Sequence, residues 1–273
     1  MPEWRVRLVA MWLAVASAVA GAQPAASAAP ATSAVHPLLG MGFGIDHLVL
    51  AVRDIEAART LFRDRLGFRL PAAGVVGKHP SGTVNASAYF ADQSYLELLA
   101  VADREKVARS NPGTLAFLDK HEGALIAAMS TSSAADTAAR LGAIGLPANG
   151  PQPGTIERAT DTKPAGPKWL TVDFTSPPPV PLFFIQYLNM DYADMFRNWD
   201  EGFAEAKAAN YYRHPNTATG ITALWIAVDD IARASKIYED LLGVKGRDFM
   251  SPALGANVRE FRVVRQRIFL IQP

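Results

Sequence analysis

Two polar side chains inside apolar runs are the first candidates for chemistry. His47 lies in the run 45–52, and Glu97 lies in the run 95–101. A buried polar group without a partner costs about 1–3 kcal/mol, so each of the two requires one. An imidazole and a carboxylate together suit a divalent metal ion or general acid–base catalysis. We predict that both residues serve one site, with Glu97 as the catalytic residue.

A second polar cluster follows the turn 79–82. Thr83 and Asn85 alternate onto one strand face, and His79 stands at the start of the turn. Side chains of this kind orient a substrate carbonyl or carboxylate when they face a cavity. The alternative is a turn whose side chains bond their own backbone. For Tyr95, Trp169 and Tyr187, lining a cavity and packing in the core are both open.

The elements that must position these residues form one short unit. A strand over 45–52 is apolar on nearly every position, which predicts that both of its faces are covered. Asp54 then stands as the N-cap of an amphipathic helix that Gly67 ends. Strand-like runs over 84–90 and 95–101 close the unit. The predicted order is strand, helix, strand, strand, strand.

Several motifs of this unit carry a family resemblance. They are Ile45-Asp46-His47-Leu48-Val49-Leu50-Ala51-Val52, Leu66-Gly67-Phe68, His79-Pro80-Ser81-Gly82-Thr83-Val84-Asn85 and Tyr95-Leu96-Glu97-Leu98. The unit resembles a glyoxalase-like module of the vicinal oxygen chelate superfamily. The resemblance implies an α+β fold, in which βαβββ modules pair into a curved mixed sheet around a cavity. It also implies that His47 and Glu97 bind a single divalent metal, which we expect to be Zn, Ni, Fe, Mn or Co.

The residues themselves leave the metal open. A catalytic metal site needs about three or four protein ligands, and only His47 and Glu97 are strong candidates. Gln186 is a weak third, if the last strand of a second module is aligned with that of the first. The alternative is a hydrogen-bonded pair of His47 and Glu97 in a cavity wall, or Glu97 acting as a general base.

The second module is predicted over 123–188. Its first strand has no histidine, and its last strand places Gln186 where Glu97 stands in the first module. We therefore predict that Gln186 contacts the substrate, with His79, Thr83, Asn85 and Tyr95. Proline and glycine make 147–154 a loop, followed by a hairpin of 155–160 with 168–174.

The third module is the clearest internal repeat. Residues 220–231 align without a gap to residues 44–55, with Ala223 in place of His47. Its last strand, over 268–272, carries no acid. Because such modules usually pair, the third packs either against the first two or against another chain, so that a homodimer is one of the two arrangements.

The rest of the chain is divided by composition. Arg5 and Arg7, an apolar run over 8–20 and the small residues 20–22 predict a signal peptide over 1–22. An Ala/Pro/Ser-rich tether follows over 23–42. We assign 43–190 to the paired modules, 191–215 to a helical connector and 216–273 to the third module. A periplasmic or secreted protein is expected, with no stable membrane span after cleavage. The alternative is that the apolar run stays uncleaved as a membrane anchor.

Composition also excludes several classes of function. The 273 residues carry a net charge of +1 and no basic patch interleaved with aromatics, so nucleic acid is not a predicted partner. Without cysteine there is no disulfide, thiol nucleophile or thiolate metal site.

We predict a secreted glyoxalase-like protein that binds a small oxygen-rich or aromatic molecule, with metal-assisted lyase, isomerase or dioxygenase chemistry. The alternatives are a non-catalytic binding protein that sequesters a small molecule and a structural or interaction module.

Overall fold

The computed structural model describes residues 44–70, 77–92, 94–156, 166–175, 178–188, 210 and 212–273. The predicted signal peptide and tether lie outside these residues, as does the predicted connector apart from 210 and 212–215. Within the described part of the chain, no helix combines the length and the apolar character that crossing a membrane requires.

The described residues form twelve strands and five α-helices, with a π-helical turn over Leu61–Arg65 that extends the first helix. The strands are β1 Ile45–Ala51, β2 Gly77–Lys78, β3 Thr83–Tyr89, β4 Tyr95–Val101, β5 Gly123–Ser130, β6 Ala148–Gly154, β7 Trp169–Phe174, β8 Leu182–Tyr187, β9 Ala223–Ala227, β10 Arg247–Ser251, β11 Ala256–Val263 and β12 Gln266–Gln272. The helices are α1 Ile55–Thr60, α2 Arg104–Ser110, α3 Pro112–Leu118, α4 Ala134–Ala143 and α5 Ile231–Leu242.

Two sheets contain the twelve strands. The larger has the order β2-β3-β4-β1-β5-β8-β7-β6, and the smaller has the order β10-β11-β12-β9. In each module the first strand pairs parallel with the last, as β1 with β4, β5 with β8 and β9 with β12. An antiparallel pairing of β1 with β5 joins the first two modules. The α+β prediction of repeated βαβββ modules is confirmed.

The repeat reflects the same local requirements in each copy. Asp54 accepts hydrogen bonds from two backbone N–H groups at the start of α1, and Asp230 accepts one from Arg233 at the start of α5. Gly67 and Gly243 follow the two helices with φ of +69° and +67°. This left-handed conformation is one that residues with a Cβ rarely adopt.

The third module packs against the other two through a shared core. Leu48 and Leu98 of the larger sheet belong to the same buried cluster as Leu224 and Ile268 of the smaller. The side chain of Gln266 bonds both backbone groups of Ile45, with Oε1 accepting at 2.7 Å and Nε2 donating at 2.9 Å. Of the two arrangements predicted for the third module, the chain therefore adopts packing against the first pair.

The loop predicted over 147–154 is instead strand β6. It pairs antiparallel with β7, with an irregularity between Asn149 and Gln152. Pro151 and Pro153 are tolerated because β6 is the edge strand of its sheet, where a missing N–H breaks few hydrogen bonds.

Candidate functional site

The curved larger sheet encloses a cavity of about 350 Å³. Residues of the first and second modules form its two walls. Six of the seven predicted site residues line it, namely His47, His79, Thr83, Asn85, Tyr95 and Glu97. The second module adds aromatic and polar side chains, among them Trp169, Thr171, Asp173, Phe183 and Tyr187. The structure places these residues together, whereas their roles stay predictions.

The position of His47 is fixed by an irregular strand. The pairing of β1 with β5 shifts register between Ile45 and His47. Asp46 consequently bonds on the cavity side, although strict alternation predicts it on the opposite face. His47 Nδ1 donates to Asp46 Oδ1 at 2.6 Å, and the imidazole stacks on Tyr95 with ring centroids 4.3 Å apart. The imidazole is thus held on two sides, with Nε2 toward Glu97.

Glu97 is the centre of a row of polar groups. Its Oε1 accepts a hydrogen bond from Asn85 Nδ2 at 2.7 Å and lies 3.6 Å from His79 Nε2. Its Oε2 lies 3.5 Å from His47 Nε2. Burial by itself raises the pKa of this carboxyl, but the two imidazoles and the Asn85 amide outweigh it and hold the pKa below its usual value. Glu97 is therefore ionised at neutral pH.

His79 reaches the same carboxylate from a hairpin turn. The turn closes with hydrogen bonds between the backbones of His79 and Thr83, and between Gly82 and His79. Gly82 has φ of +97°, and a Cβ there would lie 2.8 Å from the carbonyl oxygen of Asp103, so the turn requires glycine. His79 Nε2 is buried without a hydrogen-bond partner, while its side chain as a whole is 17% exposed.

Two buried tyrosines extend the row behind His47. Tyr187 donates to Asp46 Oδ1 at 2.9 Å, and the Tyr95 and Tyr187 hydroxyls lie 3.1 Å apart. Because Tyr187 uses its proton on Asp46, Tyr95 is the donor to Tyr187. Burial, followed by the negative charge of Asp46, raises the pKa of both tyrosines well above its usual value. Both therefore act as neutral hydroxyls.

The sequence interpretation missed two carboxylates. Asp46 was placed on the far face of β1, and Asp173 was taken only as part of a strand. Asp173 lines the cavity and accepts a hydrogen bond from Thr171 Oγ1 at 3.1 Å. Its alternation with Trp169 and Thr171 along β7 was the available signal. Asp46 offered none, because an irregularity of strand pairing has no mark in the local sequence.

Gln186 is the predicted site residue that does not reach the cavity. Its Oε1 accepts a hydrogen bond from the backbone N–H of Ala134, the first residue of α4. Its neighbours Ile185 and Tyr187 line the cavity instead. The alignment of Gln186 with Glu97 is thus wrong by one residue, and a shift of one residue in a strand exchanges its two faces.

The donor set falls short of a complete metal site. Superfamily members often use a divalent metal. The 3.5 Å between His47 Nε2 and Glu97 Oε2 is a separation that two ligands of one ion can have. No group of three or more His, Asp or Glu side chains within the described ranges is arranged to hold an ion. The predicted pair therefore lacks a third His, Asp or Glu ligand from this part of the chain.

Comparison with protein families agrees with the fold. A family model described as a glyoxalase-like domain matches residues 45–242, well over half of the chain. The chain belongs to the glyoxalase-like domain family. This confirms the predicted membership of the vicinal oxygen chelate superfamily. A comparison with curated protein sequences found no match.

Solved structures show how the glyoxalase-like chain relates to others. A hypothetical protein from Staphylococcus aureus is 16% identical, with a TM-score of 0.59 over 84% of this chain and 86% of that one. A fusion of a xylose isomerase-like TIM barrel with 4-hydroxyphenylpyruvate dioxygenase is 15% identical, with a TM-score of 0.51 over 87% of this chain and 33% of that one. A methylmalonyl-CoA epimerase in complex with methylmalonyl-CoA is 17% identical, with a TM-score of 0.37 over 55% of this chain and 98% of that one. The first two share the fold of the glyoxalase-like chain.

Proposed function

We propose that the protein binds a small oxygen-bearing molecule in the cavity and catalyses proton transfer on it, as a lyase or an isomerase does. One observation supports this most directly. Glu97 is an ionised, buried carboxylate between two imidazoles in the cavity wall, with one oxygen bonded to Asn85. Ionised groups are seldom buried unless they are paired, and such arrangements concentrate at functional sites.

His79 is the proton-transferring group in this proposal. A general base works best when its pKa lies near the working pH, and histidine is the side chain that meets this condition at neutral pH. The lowered pKa of Glu97 makes it a weak base there, but a good partner for a protonated imidazole. We therefore give Glu97 a different catalytic role from the predicted base, that of stabilising charged His79.

The polar and aromatic lining would hold the substrate. Thr83 and Ser81 present hydroxyls 3.4 Å apart near His79 and are suited to a carbonyl or carboxylate oxygen. Trp169 lies edge-on to His79, with ring centroids 6.0 Å apart, and offers a face for an aromatic or planar body. A substrate that contacts the Thr83 and Ser81 hydroxyls and the Trp169 ring would exclude water from the His79–Glu97 pair.

A binding protein without catalysis is the second candidate. The aromatic wall of Trp169, Phe183 and Tyr187 and the incomplete metal donor set favour it. Such a protein would hold its ligand tightly by burial of apolar area and leave it unchanged.

Deuterium exchange tests the catalytic proposal without knowledge of the product. In D2O, proton NMR follows loss of the proton next to the carbonyl of pyruvate, 2-oxobutanoate and dihydroxyacetone. We expect the wild type to accelerate exchange in at least one of them, and His79→Gln and Glu97→Gln to lose about 100-fold or more. His121→Asn, at an exposed histidine outside the cavity, is the matched control. Exchange that survives His79→Gln would contradict the role of His79.

Two further measurements separate the alternatives. Calorimetric binding of these compounds without exchange by the wild type would favour the sequestering function. Elemental analysis of protein purified without chelator or nickel resin tests the metal. Near-stoichiometric divalent metal that is lost in both His47→Ala and Glu97→Ala would restore metal-assisted chemistry.

Export is proposed from the N-terminal sequence. The charged start, apolar run and small-residue site at 20–22 are typical of a secretory signal. N-terminal sequencing of protein from the periplasm or medium of an expressing bacterium should begin at Gln23. Protein that stays in the cytoplasm with residues 1–22 attached would contradict export.

A further inference from the structure

We propose that Asp173 is a specificity residue, which selects ligands with a protonated amine at the end away from the reacting oxygen. This inference rests on the proposed function insofar as it uses the same cavity, and it deepens it by naming a substrate class. The substrate would carry an oxygen near His79 and Glu97 and an amine at Asp173, with a planar body between them.

The position of Asp173 in the sheet separates it from the polar row. Glu97 lies on β4 and Asp173 lies on β7, four strand spacings away in the larger sheet. At about 4.8 Å per strand this is roughly 19 Å along the curved sheet, and both residues line the cavity. The two carboxylates therefore belong to separate parts of the lining of one cavity and are available to different groups of a ligand.

The two carboxylates differ in their partners. Glu97 faces His47, His79 and Asn85, which compensate its charge. Asp173 accepts a hydrogen bond from Thr171 at one oxygen, and no Lys, Arg or His of the described chain pairs with it. A partly buried carboxylate without a cation is unfavourable. In agreement with this, burial raises the pKa of Asp173, although Thr171 acts in the opposite direction.

A ligand amine supplies the cationic partner that Asp173 lacks among the described residues, since Lys168 lines the cavity without pairing with it. An ammonium group donates charge-assisted hydrogen bonds to a carboxylate, which are stronger than neutral ones. Trp169 lies on the same face of the same strand, four residues before Asp173, and lines the part of the cavity next to His79. A neutral ligand of the same shape would leave Asp173 desolvated and uncompensated.

A matched pair of probes tests the selection. Tyramine and 4-ethylphenol share a phenol with a two-carbon chain, and differ mainly in the amine. Isothermal titration calorimetry with the whole mature chain at pH 7.5 should give a dissociation constant about tenfold or more lower for tyramine. Asp173→Asn, which keeps the shape and removes the charge, should abolish this difference and leave the affinity for 4-ethylphenol within twofold. Asp119→Asn, at an exposed aspartate of the surface, should preserve it.

Each outcome decides for or against the inference. Equal affinity for the two probes, binding of neither, or a preference that survives Asp173→Asn would overturn it. The catalytic proposal is tested separately, because exchange into pyruvate requires His79 and Glu97 and no amine. An amine preference without exchange would support the role of Asp173 and contradict the catalytic proposal. Exchange without an amine preference would support the catalytic proposal and contradict the role of Asp173.

Discussion

Asp46 and His47 are consecutive residues of one strand, yet their side chains are joined by a hydrogen bond of 2.6 Å. In a regular strand they would point to opposite faces. The irregular pairing between β1 and β5 brings both to the cavity side, where Asp46 also accepts a hydrogen bond from Tyr187. A carboxylate at Nδ1 fixes the ring orientation and tautomer of His47.

Asp46→Asn should change the tautomer and orientation of His47 while it preserves the packing around the site. The amide keeps the size of the side chain but removes the charge that faces Nδ1. We expect ligand binding or exchange to fall by roughly 10–100-fold, the range found for carboxylates that orient a ligating imidazole. Nitrogen NMR of His47 reports its tautomer directly. Tyr187→Phe is the control, which should leave the tautomer unchanged; an unaltered tautomer in Asp46→Asn would contradict the positioning role.

The two buried tyrosine hydroxyls should be energetically coupled. Tyr95→Phe and Tyr187→Phe each remove a hydrogen bond, with a loss of about 1 kcal/mol in the free energy of unfolding. In a double-mutant cycle by urea unfolding, we expect a coupling of about 0.5–1.5 kcal/mol. Tyr95→Phe combined with Gln186→Ala, whose hydrogen bond lies elsewhere, should be additive. Additivity of the tyrosine pair would mean that the hydroxyls do not bond each other.

Gln186→Ala should lower the stability of the protein and leave its affinity for the ligand unchanged. Its Oε1 satisfies the N–H of Ala134 at the start of α4, so its loss should cost about 1 kcal/mol in urea unfolding. Gln186→Glu retains an acceptor and should retain most of that stability. Weaker ligand binding with unchanged stability would show instead that Gln186 reaches the cavity.

The free energy of unfolding should decrease at acidic pH because the folded protein disfavours protonation of His214. Its Nδ1 accepts from the backbone N–H of Arg69 at 2.9 Å, and its Nε2 donates to the carbonyl of Tyr89 at 2.8 Å, so the folded protein requires the neutral ring. Burial lowers the pKa of His214, the Tyr89 hydrogen bond opposing it. The unfolded chain therefore binds the proton more readily than the folded one.

The sign and the window of this effect follow from the lowered pKa. The stabilisation is complete above the unfolded pKa of about 6.5 and is lost as the pH falls toward the lower folded value. Urea unfolding between pH 7.5 and 5 should show a steeper loss in the wild type than in His214→Gln. His121→Asn, at an exposed histidine, should follow the wild type. If the free energy of unfolding changes equally with pH in the wild type and in His214→Gln, protonation of His214 is not the cause of the acid sensitivity.

The sequence by itself determined the repeated module and the main polar residues. The capping aspartates, the glycines that end α1 and α5 and the apolar strands are local requirements, which recur wherever the same element is built. Polar residues inside apolar runs marked His47 and Glu97, because burial of a polar group demands a partner. These signals need no knowledge of distant parts of the chain.

Only the tertiary structure decided how the modules and the site are completed. The face that Gln186 presents depends on register, the approach of Asp46 to the cavity depends on an irregular pairing, and β6 is a strand because β7 lies beside it. The third module buries its apolar face against the first two through contacts far apart in the sequence. Register and long-range packing are set by which strands meet, and local periodicity carries no record of that choice.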